Sequence, residues 1–191
     1  HTLESTIVQS KVAVMKQRIL DINPECQVQT IEQFIDGDNL RDILESGYDG
    51  VIDAIDGSQS KALIIYCCKR NKIPVITTGG AGGLLDPTQI QTADLSSTWN
   101  DPLAAKVRSW LRYKHRFTSN KHYSFGVPCI FSTEQQRYPD KDGKVGFSKP
   151  GTAGLSLDCA FGYGSSVAVT ASFGFSAAAK AIDYIVNKRR N

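Results

Sequence analysis

A chain of 191 residues, 41% apolar and 21% charged, has ordinary globular composition and enough length for one domain with a true core, which excludes a disordered or collagenous chain. The 22 basic and 19 acidic residues leave a formal charge of +3, so contact with a polyanion has to come from local clustering rather than from the total. No stretch of about 18 apolar residues offers a membrane-spanning helix. The sequence opens on His1 rather than Met and shows no signal-peptide pattern, so we expect the true N-terminus, and any targeting signal, to lie upstream. The cysteines (Cys26, Cys67, Cys68, Cys129 and Cys159) are odd in number and form no C-x-x-C pair. Neither a disulfide framework nor a zinc site is indicated, and a reducing compartment fits best. The expected location is the cytoplasm, with mitochondrial association left open.

Val8, Val12, Met15 and Ile19 recur at helical spacing, and Asn23-Pro24 ends that helix. Cys26, Val28 and Thr30 alternate with polar residues as in a short strand. Asp38 is placed to cap a helix carrying Leu40, Ile43 and Leu44, closed by Gly47. Gly50 to Ile55 reads as a buried strand, Ser58 to about Arg70 as a helix with Cys67 and Cys68 in the core, and Ile73 to Thr77 as a second buried strand. Thr88 to Leu95 looks like a strand, and Asp101-Pro102 opens a helix bearing Leu103, Val107, Trp110 and Leu111. Residues 112 to 125 are basic and aromatic without clear periodicity. Val127 to Phe131 reads as a strand, 138 to 158 as a loop, and Ser165 to Asn187 as a long helix of small residues. Strands alternating with helices imply crossover units and a mostly parallel α/β sheet. No repeat or second domain boundary is visible.

Asp56, in Val51-Ile-Asp-Ala-Ile-Asp56, falls where a buried strand meets a helix. Ligands of open α/β sheets bind at the carboxyl ends of the strands, and a carboxylate there suits Mg²⁺ and the phosphates that it carries. The competing reading is a helix cap, and the residues alone leave both open. Lys11, in the first helix, reads either as a phosphate contact or as a solvated lysine. The glycine run 79–83 follows a strand, but it is neither a P-loop nor G-x-G-x-x-G, so a tight turn is the preferred reading. Cys159, just before the last helix, reads either as a nucleophile with a lowered pKa or as a small core residue. Arg108, Arg112, Lys114, Arg116 and Lys121, interleaved with Trp110, Tyr113 and Phe117, form either an RNA-binding surface or a solvated face.

Together these segments resemble the tRNA threonylcarbamoyladenosine dehydratases, within the superfamily of ubiquitin-activating and sulfur-carrier-activating adenylating enzymes. The likeness rests on Asn71-Lys-Ile-Pro-Val-Ile-Thr-Thr-Gly-Gly-Ala-Gly-Gly83, Asp86-Pro-Thr-Gln-Ile-Gln91, Asp101-Pro-Leu-Ala-Ala-Lys106, Phe131-Ser-Thr-Glu134 and Asp158-Cys-Ala160, in order along nearly the whole chain. It implies a Rossmann-like fold and ATP-dependent adenylation of the threonyl carboxylate of a modified adenosine beside the tRNA anticodon, followed by ring closure with net loss of water. It implies that Lys11, Asp53 and Asp56 serve ATP, that Asp56 holds Mg²⁺, and that Cys159 is the loop cysteine of the active site. It also implies a homodimer, and a sulfur-transfer partner such as a cysteine desulfurase. The expected organisation is a single domain over 1–191, with a nucleotide side (1–95) and a substrate side (96–191). The family's glycine-rich nucleotide loop and first strand are expected upstream of His1. Other readings are an activator of a ubiquitin-like sulfur carrier, disfavoured by the lack of C-x-x-C pairs, and a non-catalytic tRNA-binding scaffold.

Overall fold

Parallel strands need crossovers of a dozen or more residues, and the chain supplies them. The computed structural model describes residues 3–45, 47–120, 122–140, 142, 144–148 and 163–188. These form two compact units, His1–Ile35 and Asp36–Asn191.

In the first unit, α1 spans Lys11–Ile22 with Ser10 at its N-cap. Val8 lies outside the helix, fully exposed at φ 64°, so the helix begins later than the apolar spacing predicts and Lys11 is its first residue, not an interior one. The Asn23 N–H closes the end on the Ile19 carbonyl at 2.8 Å, just before Pro24. Cys26 to Thr30 form no strand: no ladder partner is present among the described residues, and alternation alone cannot satisfy a strand's backbone groups.

The second unit begins with α2, Leu40–Leu44. Asn39 is its N-cap, and Asp36 organises the approach by accepting the N–H groups of Asp38 and Asn39, so Asp38 does not play the predicted capping part. Next come β1 (Val51–Asp53), α3 (Ser58–Arg70), β2 (Val75–Thr78), β3 (Ile90–Asp94), α4 (Pro102–His115), β4 (Pro128–Ser132), the short β5 (Tyr138–Pro139) and β6 (Val145–Gly146), and α5 (Val167–Lys188). The main sheet has the order β1-β2-β4-β3. β1, β2 and β4 run parallel, and only β3 is antiparallel. The segment read as a loop from 138 therefore opens with a two-stranded ribbon, β5–β6.

Alternation along β2 assigns the layers. Ile76 packs with Ile130, Val169, Phe173 and Ala177, which puts α5 on one face of the sheet. Thr77 points the other way and receives the buried Lys61 of α3. On α5 the buried residues fall four apart, at Val169, Phe173 and Ala177, as a stripe against a sheet requires. On α4 they are Ala104, Val107 and Leu111, and this helix packs along α3. Asp101 caps α4 by accepting the Ala104 N–H, with Pro102 in the first turn.

A cleft at the carboxyl ends of the parallel strands

β1 and β2 end at the same edge, where the chain turns into α3 and into the glycine run. A cleft of about 880 Å³ opens there, bordered by Asp56, Gly79, Gly80, Lys106, Gln136 and Tyr163. A groove of about 1020 Å³ lies at the opposite edge, lined by Lys69, Lys72, Asp94, Lys180 and Asp183. Open α/β sheets bind ligands at their carboxyl ends, so the smaller cleft is the candidate site.

Asp56 is exposed at this cleft, and no hydrogen bond or ion pair from a described residue engages its carboxylate. It does not cap α3: the N-cap is Gly57, with no side-chain cap bond. Of the two readings of this carboxylate, the capping one is therefore not realised.

Asp53 is not a cleft residue. Its carboxylate is fully buried and pairs with the equally buried Lys61 at 2.8 Å. The same oxygen accepts the Thr77 hydroxyl at 2.7 Å, and the other accepts the Ile55 N–H at 3.3 Å. Lys61 also donates to Thr77 and to the Asp53 carbonyl. The structure places Asp53 beneath the cleft floor, where its carboxylate accepts the Ile55 N–H in the turn that leads to Asp56. Sequence reading missed Lys61, although a lysine followed by Ala62-Leu63-Ile64-Ile65 was a signal that its partner is internal.

The glycine run is shaped by close approach. A Cβ on Gly79 would fall onto the Asp101 carboxylate, and one on Gly83, which sits at φ 69°, onto the Arg137 backbone. Asp101 accepts the Gly80 N–H at 3.0 Å. Glu134, buried, accepts the N–H groups of Leu85 and Asp86 at 2.9 and 2.8 Å. Two carboxylates thus hold the loop at its two ends, and neither was singled out from sequence as a loop anchor. Burial raises the Asp101 carboxyl above the usual range, only partly offset by the N–H groups of Ala104 and Gly80.

Two of the thiols are chemically quiet. Burial pushes Cys68 up to about 11 and Cys129 up to about 12. Cys159 lies outside the described residues, as does Lys121.

The expected basic surface divides. Arg108 is half-buried and bonded to Thr98, with burial lowering its pKa. Arg112 donates to the Thr118 carbonyl and lies over the Phe125 ring. Lys114 and Arg116 are exposed. Among the described residues no group of three or more His, Cys, Asp or Glu side chains is placed to hold a metal. No described helix is long and apolar enough to cross a membrane.

Lys11 belongs to the first unit. It is exposed at the N-terminus of α1, beside the Ser10 hydroxyl, which is buried without a hydrogen-bond partner.

A mostly parallel sheet with helices on both faces and a carboxylate-bearing cleft at its strand ends defines an open α/β protein of nucleotide-binding type. The ThiF family model matches residues 2–191, and the chain belongs to that family. It is 46% identical over 189 residues to the tRNA threonylcarbamoyladenosine dehydratase of Escherichia coli, covering 98% of this chain and 70% of that protein. It is 46% identical over 187 residues to the Haemophilus influenzae protein of the same name, covering 98% and 69%. The crystal structure of the E. coli enzyme in complex with ATP superposes with a TM-score of 0.83 at 40% identity, covering 99% of this chain and 69% of that one.

Proposed function

We propose that this chain carries out ATP-dependent dehydration of threonylcarbamoyladenosine in tRNA, the activity named for its relatives. The observation that carries the proposal is the Asp56 carboxylate, exposed in a strand-end cleft with no partner among the described residues, in a chain so similar to a dehydratase captured with ATP.

A free carboxylate is a poor electrophile. In the proposed reaction the threonyl carboxylate oxygen attacks the α-phosphorus of ATP, and pyrophosphate leaves. A nucleophile within the same side chain then attacks the activated carbonyl and expels AMP, closing the ring. Asp56 fits a Mg²⁺ that travels with the triphosphate, because Mg²⁺ usually takes one or two carboxylates and fills its shell with phosphate oxygens and water. Such an ion neutralises charge on the phosphates. Lys11 supplies a point charge for a phosphate, helped by the free N–H groups of a helix N-terminus. Asp53 and Lys61 act indirectly, by holding the Asp56 turn. Cys159 serves the ring-closing half, residues 1–95 supply the greater part of the nucleotide side, and 96–191 supply the greater part of the substrate side. The exposed Lys114 and Arg116, with Lys121, make the RNA contacts, and Arg108 and Arg112 support them from within. The family likeness further suggests a homodimer in the cytoplasm, with a cysteine desulfurase or other sulfur-transfer partner.

The test is mass spectrometry of nucleosides from modified tRNA incubated with the protein and ATP. The expected product is lighter by one water, forms only with ATP, and is lost or strongly reduced with Cys159→Ser. Unchanged nucleoside with the active wild-type fold would overturn the proposal.

A further inference from the structure

Helices α3 and α4 run side by side from the cleft edge of the sheet to its opposite edge, a span of about 20 Å at helical rise. Neither Ser58–Arg70 nor Pro102–His115 contains a single Asp or Glu. Their carboxyl ends meet in a pocket of about 520 Å³ bordered by Lys69, Arg70, Lys114 and Arg116, and no carboxylate is among its lining residues. Beside these cations the Tyr66 and His115 rings stack at 4.3 Å and 22°. Burial lowers the His115 pKa, which favours the neutral ring.

The ordinary explanation of cations at helix ends is compensation of the helix dipoles. Two C-termini bring about half a negative charge each, roughly −1 in total, against four positive side chains. About three positive charges are left over. Lys69 reaches the Gly126 carbonyl only at a long 3.4 Å. Arg116 stands in the left-handed cap of α4 at φ 57°, a position that favours glycine, so a cation is kept there at a backbone cost. α4 also exposes Lys106 at the cleft and, one residue before Lys114, Tyr113, which is 79% exposed.

We infer that the acid-free outer face of α3 and α4, ending in the Lys69–Arg70–Lys114–Arg116 pocket, is a binding track for an RNA phosphodiester backbone, anchoring the strand about 20 Å from the nucleoside held in the cleft. The inference rests on the proposed RNA substrate and adds Lys69, Arg70, Tyr66 and His115 to the contact surface. The ligand is a polyanion with planar bases: cations hold the phosphates, and the exposed Tyr113 ring, with the half-buried Tyr66–His115 pair, offers faces to a base. A nucleoside presented to the cleft brings its flanking backbone with it, so an anchor at this distance fixes the approach without touching the reacting atoms.

Arg116→Gly and Arg70→Gln test it together. Glycine relieves the left-handed cap, so the fold is expected to survive and the melting temperature to hold or rise. Binding of fluorescent tRNA is measured from about 50 to 200 mM salt. The double variant is expected to bind about tenfold more weakly at 0.1 M salt, with a log–log salt slope shallower by about 1.5 to 2, and KM for tRNA is expected to rise with the loss of affinity. Affinity and salt slope equal to wild type, in an enzyme that still turns over, would overturn the track and leave the dehydratase reading intact. Absence of any salt-dependent tRNA affinity in the wild type would remove both.

Discussion

Replacing Lys61 by Met removes one partner of a charge pair that is closed to water on both sides, with side-chain exposures of 1% and 0%. The Asp53 carboxylate would keep the Thr77 hydroxyl and the Ile55 N–H but lose its counter-ion. Breaking a buried pair in this way costs about 3–5 kcal/mol, because the remaining charge is uncompensated. For a chain of this size each kcal/mol moves the melting temperature by about 2–4 °C, so the expected fall is about 6–20 °C. Adding Asp53→Asn removes the stranded charge and keeps an acceptor for Thr77, so the double variant is expected to recover more than half of the loss. Thermal and urea unfolding of the wild type, both single variants and the double variant give the coupling directly. A Lys61→Met cost under about 1 kcal/mol, or no recovery in the double variant, would refute the account of the floor beneath Asp56.

Glu134→Ala leaves the N–H groups of Leu85 and Asp86 without their buried acceptor, and about 1–3 kcal/mol of stability is expected to go with each group that water cannot reach, read by urea unfolding. Asp94 gives a pH dependence. Burial would raise its pKa, but hydrogen bonds from Ser96, Phe125 and Val127 outweigh burial and hold it below the ordinary value. Its stabilisation is therefore fully present above the usual aspartate range and is lost as pH falls through the folded-state value. Asp94→Asn is expected to be less stable than wild type at pH 7, and the gap should close as pH falls below the ordinary aspartate range; a gap independent of pH would contradict that assignment.

How much of this was readable without coordinates varies with the kind of signal. The alternation of strands and helices, the Asp101-Pro102 helix start and the course of α5 follow from local spacing and capping, and they appear in the structure within a few residues. The start of α1 and the supposed strand at Cys26 do not. Apolar spacing says which face is buried but not where a helix begins, and a strand exists only with a neighbour. Asp56 could be placed at a strand end from sequence, whereas Asp53, inside the strand, was expected to serve ATP as well, and its buried partner was not foreseen. One strand step separates the buried carboxylate from the turn, and only the position of Lys61 eight residues later decides between them. The glycine run read as a turn. Its real demand, room for Asp101, Tyr163 and the Arg137 backbone, depends on segments far away in the chain. The basic stretch looked uniform, yet Arg108 and Arg112 turn inward while Lys114 and Arg116 join Lys69 and Arg70 from another helix.

The role of Asp56 is tested most directly by calorimetric titration of Mg²⁺–ATP into the wild type and Asp56→Asn. Since the Asp56 carboxylate has no partner among the described residues, the variant should keep the wild-type melting temperature. Its affinity for Mg²⁺–ATP should fall by about tenfold or more, the scale of one charge-assisted contact. Equal affinity in the two proteins would contradict the assignment of the cleft.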